Sequence, residues 1–252
     1  MSASTDPTSP GCALVTGAAV GLGRAIALAL SEAGYRVAAA DRDAAGLADT
    51  IAAAPGPMQP VPLDVRSQTI ITEAIDLAGR HFGAVSCLVN NAGVALPKPA
   101  TEVSWQDWDD VLAVNLKGAF FLTQAFAARR MAEGLPGAVV NIGSTHGIVG
   151  VADRSVYGIS KAGILHMTRM LAIEWAAAGI RVNAVAPGTV MTPSRQAILD
   201  DPDARARALG RIPSGRFPTA EEIAAAVVYL AGPTAASVTG HVLVVDGGTT
   251  VC

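Results

Sequence analysis

"ALVTGAAVGLGRAIALAL", residues 13–30, decides the fold. An apolar run at 12–16 leads into Gly17, Gly21 and Gly23, and the glycines lead into small and apolar residues at three-to-four spacing. That order is a strand, a tight turn and the start of a helix. Glycines in such a turn let backbone N–H groups approach a pyrophosphate, whose charge also gains from the N-terminus of the helix. A glycine-rich turn by itself also occurs in ordinary strand-to-helix connections, so its surroundings carry the decision.

Strand-like and helix-like runs alternate along the rest of the chain. Strands are predicted at 12–16, 36–40, 59–63, 85–89, 138–142, 180–185 and 241–245, and helices near 22–33, 43–53, 67–82, 104–132, 154–178 and 219–231. Thr219 followed by Glu222 forms a capping box that opens the last helix. Runs such as "VSCLV" and "GAVVNI" are continuously apolar, as strands covered on both faces are. The expected fold is therefore α/β: one Rossmann-like, doubly wound domain over 11–252, with a mostly or wholly parallel seven-stranded sheet flanked by helices. Two irregular segments, 143–153 and about 187–218, follow strands directly and should border a ligand crevice at the strand ends; 189–218 is a candidate substrate loop.

Composition bounds the function. The 252 residues are 51% hydrophobic and 15% charged with a formal net charge of -3, enough for a large core and too little basic charge for a nucleic-acid partner. Residues 1–10 have neither a basic nor an apolar signal region and read as a disordered N-terminal tail, which points to a cytoplasmic location. The run 223–245 carries no Asp, Glu, Lys or Arg, but Gly232-Pro233 and Gly240 divide it into a short helix and a strand, so no membrane span is expected. Cys12, Cys87 and Cys252 read as thiols of a reducing compartment, and His81, His146, His166 and His241 have no metal-ligand spacing. No metal site is expected.

Two further features concern chemistry. Asp41 ends the second strand eighteen residues after Gly23, where a carboxylate accepts hydrogen bonds from a ribose diol and repels a 2′-phosphate. An ordinary helix cap explains an aspartate there equally well, and Asp43 could supply that cap; Arg42 could greet a phosphate, but the glycine turn holds no basic residue to help. In "SVYGISKAG", residues 155–163, Tyr157 and Lys161 lie one helical turn apart, so a phenol and an ammonium reach the same place. A core tyrosine beside a snorkelling lysine is the plain alternative.

Together these residues resemble the short-chain dehydrogenase/reductase family, in its classical subgroup. The family's TGxxxGxG turn is matched by Thr16, Gly17, Gly21 and Gly23, its adenine-side Asp-hydrophobic pair by Asp64 and Val65, and its NNAG motif by Asn90, Asn91, Ala92 and Gly93. Asn115 matches its helix asparagine, Ser144 its serine, and Tyr157 and Lys161 its YxxxK pair; Pro187, Gly188 and Thr192 resemble the nicotinamide-side motif, and Asp246-Gly247-Gly248 the usual ending. The matches run in order from about residue 12 to 248.

The resemblance implies hydride transfer between a nicotinamide cofactor and a secondary alcohol or ketone, with Asn115, Ser144, Tyr157 and Lys161 as the catalytic set. It implies a cofactor site at Gly17, Gly21, Leu22, Gly23, Asp41, Arg42, Asp64, Val65, Asn91, Ala92, Gly93, Tyr157, Lys161, Pro187, Gly188, Val190 and Thr192. NAD is expected over NADP because of Asp41. The small-molecule substrate is expected to be a sugar, polyol or similar hydroxy compound. An NADPH-dependent 3-oxoacyl-[acyl-carrier-protein] reductase and a catalytically silent dinucleotide-sensing protein are the alternatives. A homotetramer, built through the helices at 104–132 and 154–178 and through the last helix and strand, is expected from the family. His146, two residues beyond Ser144, could be an additional base or a substrate contact, but padding of the cleft is the favoured reading, and it stays out of the catalytic set.

Overall fold

β1 (Cys12–Thr16) is buried along its whole length. The computed structural model describes residues 10–191 and 200–252 and builds a seven-stranded sheet outward from that strand. The other strands are β2 (Arg36–Asp41), β3 (Met58–Pro62), β4 (Val85–Asn90), β5 (Gly137–Ile142), β6 (Ile180–Pro187) and β7 (Val242–Val245). The spatial order is β3-β2-β1-β4-β5-β6-β7, and every pairing is parallel. Pro60 and Pro62 fall on β3, an edge strand, where a missing N–H costs least.

Alternation along the strands feeds two apolar layers. Cys12 and Leu14 join the layer under α3 (Gln68–Phe82), α5 (Ala119–Ala132) and α6 (Ser155–Trp175), with Phe126, Ile164 and Leu171. Ala13 and Val15 point the other way, to α1 (Gly21–Glu32), α2 (Ala44–Ala52) and α8 (Ala220–Ala231), with Ile26, Leu30, Ile223 and Val227. Small strand residues such as Ala38, Ala39 and Ala40 are fully buried, so the helices can approach the sheet closely. Burial pushes the Cys12 and Cys87 thiols up to about 12, so both are inert core residues.

The expected strands and helices are all present, with three differences. The segment 104–132 is one rod but not one α-helix: α4 (Trp105–Leu112) passes through a π-helical turn, Ala113–Gly118, into α5. Thr145–Gly147 forms a short 3-10 turn within 143–153. The segment 187–218 is not irregular throughout, because α7 (Pro202–Leu209) lies in it. Asp201 caps α7 by accepting from Asp203 N, and Pro202 occupies its first turn; both signals were legible but were hidden by the polar composition. Residues 1–9 of the expected tail lie outside the described residues.

The strand order reverses between β1 and β4, and there the carboxyl ends of neighbouring strands diverge to open a crevice. Trp105–Ala132 is long and apolar enough to cross a membrane by length and composition, yet it packs against α3, α6 and β4 in the layered core.

Candidate active site

The glycine turn is held by its neighbours. Gly17 and Gly21 have φ of 67° and 57°, the left-handed region glycine adopts without strain. A Cβ on Gly23 would collide with Gly17 O and Asn91 Nδ2. Asn91 Nδ2 donates to Thr16 O and Gly17 O at 3.0 and 3.2 Å, and Thr16 Oγ1 accepts from Asn91 N and Ala92 N, both at 3.0 Å. The ends of β1 and β4 are thus laced together at the point where the sheet reverses.

Beyond that lacing lies a cavity of 570 Å³ lined by Gly17, Gly21, Leu22, Gly23, Asp41, Arg42, Asp64, Val65, Asn91, Ala92 and Gly93. All eleven were expected in the cofactor site. Asp41 Oδ2 accepts from Ala19 N and Oδ1 from Asp43 N, each at 3.1 Å, so its carboxylate is fixed on the rim. Asp43 supplies the α2 cap by accepting from Gly46 N, which relieves Asp41 of that role.

Arg66, also in this cavity, was missed. Its Nε donates to Asp64 Oδ1 at 3.0 Å and its Nη2 to Oδ2 at 2.6 Å, which draws the Asp64 carboxyl down to about 2. Nothing in the local pattern separates Arg66 from a solvated arginine, since the pairing depends on the turn after β3.

A second cavity, of 280 Å³, adjoins the first and shares Leu22, Asn91, Gly93 and Val94 with it. Ser144, Tyr157, Lys161, Pro187, Gly188 and Val190 line it, with Thr145, His146 and Thr189. Thr192 lies outside the described residues, as does the rest of 192–199 in the candidate loop.

Lys161 is buried, donates to Ile142 O at 2.8 Å, and sits 5.8 Å from the centroid of the Tyr157 ring. Burial alone lowers its pKa from 10.5 to about 8. Ser144 Oγ accepts from His146 N at 3.1 Å, which leaves its hydroxyl hydrogen for another acceptor.

Asn115 lies within the π turn and is buried. Its Nδ2 donates to Val94 O and Ser160 Oγ at 2.9 and 3.0 Å, while Oδ1 accepts from Val94 N at 2.8 Å. The side chain therefore ties the segment after β4 to the helix that carries Tyr157. A Cβ on Gly93 would stand 3.3 Å from Asn115 Oδ1 and 3.6 Å from Lys161 Nζ, so these three groups converge.

Under the site runs a buried polar chain on the face of the sheet covered by α5 and α6. Asn90 Nδ2 donates to Thr123 Oγ1 at 2.7 Å and to Asn141 Oδ1 at 2.8 Å, and Asn141 Nδ2 donates to Thr168 Oγ1 at 2.9 Å. It pins α5, β4, β5 and α6 in register beneath the cavities.

Comparison with known proteins agrees with this geometry. A family profile described as enoyl-(acyl carrier protein) reductase matches residues 17–250. A D-threitol dehydrogenase of Mycolicibacterium smegmatis is 42% identical over 95% of this chain and 92% of its own length. The chain belongs to the short-chain dehydrogenase/reductase family. Within that family, the 3-oxoacyl-[acyl-carrier-protein] reductase of Thermotoga maritima is 39% identical, covering 93% of this chain and 96% of that protein. A putative 2-deoxy-D-gluconate 3-dehydrogenase from Agrobacterium tumefaciens, solved with bound NADP, superposes with a TM-score of 0.90 at 40% identity, covering 98% of this chain and 100% of that one. This short-chain dehydrogenase/reductase is an oxidoreductase acting on CH–OH groups with a nicotinamide dinucleotide.

Proposed function

We propose that the enzyme is an NAD-dependent dehydrogenase of a sugar, polyol or similar small hydroxy compound. The observation that carries this reading is the adjacency of the two cavities: the one with Ser144, Tyr157 and Lys161 opens beside the glycine turn. The cradle fits a dinucleotide because Gly17, Gly21 and Gly23 line the larger cavity at the N-terminus of α1, where backbone N–H groups favour a pyrophosphate. When bound, the nicotinamide accepts or returns the hydride.

The chain's own groups manage the proton. Tyr157 takes the substrate hydroxyl proton in oxidation and gives it back in reduction. A free phenol has a pKa of about 10, and a nearby cation lowers it toward the working range. Lys161 is that cation. Ser144 donates to the substrate oxygen, and Asn115 keeps the Val94 segment and α6 together so that these groups stay aligned.

Cofactor choice rests on Asp41. Its carboxylate, held by two backbone N–H groups, repels a 2′-phosphate and accepts from a ribose diol. Arg66 opposes this weakly because its charge is already engaged by Asp64. Beside Ser144, Tyr157 and the Lys161 ammonium, the described lining of the smaller cavity has further hydroxyls, an imidazole and the Asn91 amide and no carboxylate or arginine, which suits a polyhydroxyl substrate. The relatives' names include both a polyol dehydrogenase and a 3-oxoacyl reductase. A catalytically silent dinucleotide sensor has no use for the retained Asn115, Ser144, Tyr157 and Lys161.

We place the enzyme in the cytoplasm as a homotetramer. Phe120, Phe121, Met170 and Ile173 are exposed apolar residues on α5 and α6, and Val244 on edge strand β7 and Tyr229 on α8 offer a second such surface. A screen of sugars, polyols, hydroxysteroids and 3-hydroxyacyl thioesters with NAD and with NADP tests the function. Turnover of a polyol with NAD supports it; turnover confined to the thioester with NADP overturns it.

A further inference from the structure

The catalytic set does not use His146, although it stands at the centre of the substrate end of the cavity. Its backbone does the local structural work: the N–H donates to Ser144 Oγ, and the carbonyl lies 3.0 Å from where a Cβ on Gly158 would stand, which fixes how closely the turn rides on α6. Gly147, the next residue, approaches the Lys161 backbone so closely that a Cβ would stand 2.7 Å from its carbonyl carbon. The Thr145–Gly147 turn is therefore clamped onto the helix carrying Tyr157, and the direction of the His146 side chain is set by that clamp.

The imidazole meets the Tyr157 ring edge to face, with centroids 5.8 Å apart and planes at 88°. This packing holds the ring plane of the histidine and places it within the same cavity as the Ser144 hydroxyl and the Tyr157 phenol. His146 shares one cavity with Ser144 and Tyr157, so a substrate whose oxygen those two groups bind has its neighbouring atoms in the cavity that the imidazole lines. Nδ1 of the ring is buried, so Nε2 is the nitrogen through which the imidazole can meet a substrate hydroxyl, donating or accepting according to its tautomer. Of the other described groups lining that cavity, Lys161 is engaged with the Ile142 carbonyl and Asn91 with the glycine turn, and the rest are apolar residues such as Val94, Ala95 and Val190 or hydroxyls at Thr145 and Thr189. A site built to hydrogen-bond a hydroxyl discriminates against the analogue that lacks it, because its own polar groups then lose a partner.

We propose that the His146 imidazole binds a second hydroxyl on the carbon adjacent to the reacting one, and so makes the enzyme selective for vicinal diols over simple secondary alcohols. His146 is a specificity-determining residue in this account, separate from proton transfer. The inference rests on the function proposed above and names the feature of the substrate that the site reads.

The test compares 2,3-butanediol and threitol with 2-butanol, using the wild-type enzyme, His146→Phe and His146→Gln. His146→Phe retains the backbone N–H to Ser144 and a ring against Tyr157 while removing the polar nitrogens. The expected result is a rise of about tenfold in KM for both diols with a smaller change in kcat, and a change under about threefold in kcat/KM for 2-butanol. His146→Gln, whose amide reaches the Nε2 position with a donor and an acceptor, should recover most of the diol affinity. Equal losses on all three substrates, or no loss on any, would overturn the role of His146 while leaving the dehydrogenase reading intact. A wild-type enzyme that oxidises neither diol nor any polyol overturns that reading itself, and the inference with it.

Discussion

The Lys161 ammonium stands 5.8 Å from the centroid of the Tyr157 ring and donates its 2.8 Å hydrogen bond to the Ile142 carbonyl at the end of β5. A lysine buried beside only neutral groups is costly to charge, and that cost is the origin of its depressed pKa. Fold stability is thereby spent on holding a cation beside a phenol.

That cost has a measurable pH dependence. In the folded chain Lys161 loses its proton near pH 8, against 10.5 for an ordinary lysine. Between these values the unfolded chain binds more protons, so this group makes stability rise with pH across the window. The gap corresponds to about 3 kcal/mol. Urea denaturation of cofactor-free wild type and Lys161→Met should show the variant more stable than wild type near neutrality, with its advantage shrinking by roughly that amount toward pH 10.5. An advantage that does not change with pH would contradict the buried, titrating lysine. The difference between the two proteins is needed because the buried thiols of Cys12 and Cys87, raised to about 12, act in the opposite direction at high pH.

Asp41 is expected to set cofactor preference. Asp41→Asn keeps an acceptor oxygen for one of Ala19 N–H and Asp43 N–H, which bond to different carboxylate oxygens, and removes the charge. The ratio of kcat/KM for NAD to that for NADP should fall by about thirtyfold or more, corresponding to about 2 kcal/mol of lost discrimination. An unchanged ratio would move the choice of cofactor away from this carboxylate.

The polar chain beneath the site is expected to behave as a unit. Asn141→Ala leaves Asn90 Nδ2 without one of its acceptors and Thr168 Oγ1 without its donor, and should destabilise the fold by about 2 to 4 kcal/mol. A loss below about 0.5 kcal/mol in chemical denaturation would show that the chain is not energetically connected.

Much of this architecture was legible because local and global signals agree. The apolar runs at 85–89 and 138–142 have no polar face, so they had to become strands covered on both sides, β4 and β5. The glycine turn and the Tyr157/Lys161 pair are local patterns that survive folding unchanged. What stayed hidden depends on turn geometry or on contacts across the chain. Arg66 finds Asp64 only through the turn after β3, and the π turn at Ala113–Gly118 arises where Asn115 engages Val94 and Ser160 from two other elements. The helix Pro202–Leu209 escaped for the opposite reason: it buries so little apolar surface that hydrophobic periodicity is silent, although its cap was present.

Association is a further expectation. Phe120, Phe121 and Met170 line an open apolar cavity of 560 Å³ between α5 and α6. Sedimentation should show a tetramer, and Phe121→Glu together with Met170→Glu should reduce it to smaller species. A wild-type protein that remains monomeric at all concentrations would contradict the assembly.

The central claim is that Tyr157 exchanges a proton with the substrate oxygen under the influence of Lys161. Its most direct test is the rate of NAD reduction by Tyr157→Phe on a polyol oxidised by the wild type, with cofactor affinity measured in parallel by fluorescence titration. The account predicts a fall in kcat of about a thousandfold, with the dissociation constant for NAD changed by no more than about threefold. A phenylalanine variant that turns over at the wild-type rate would contradict it.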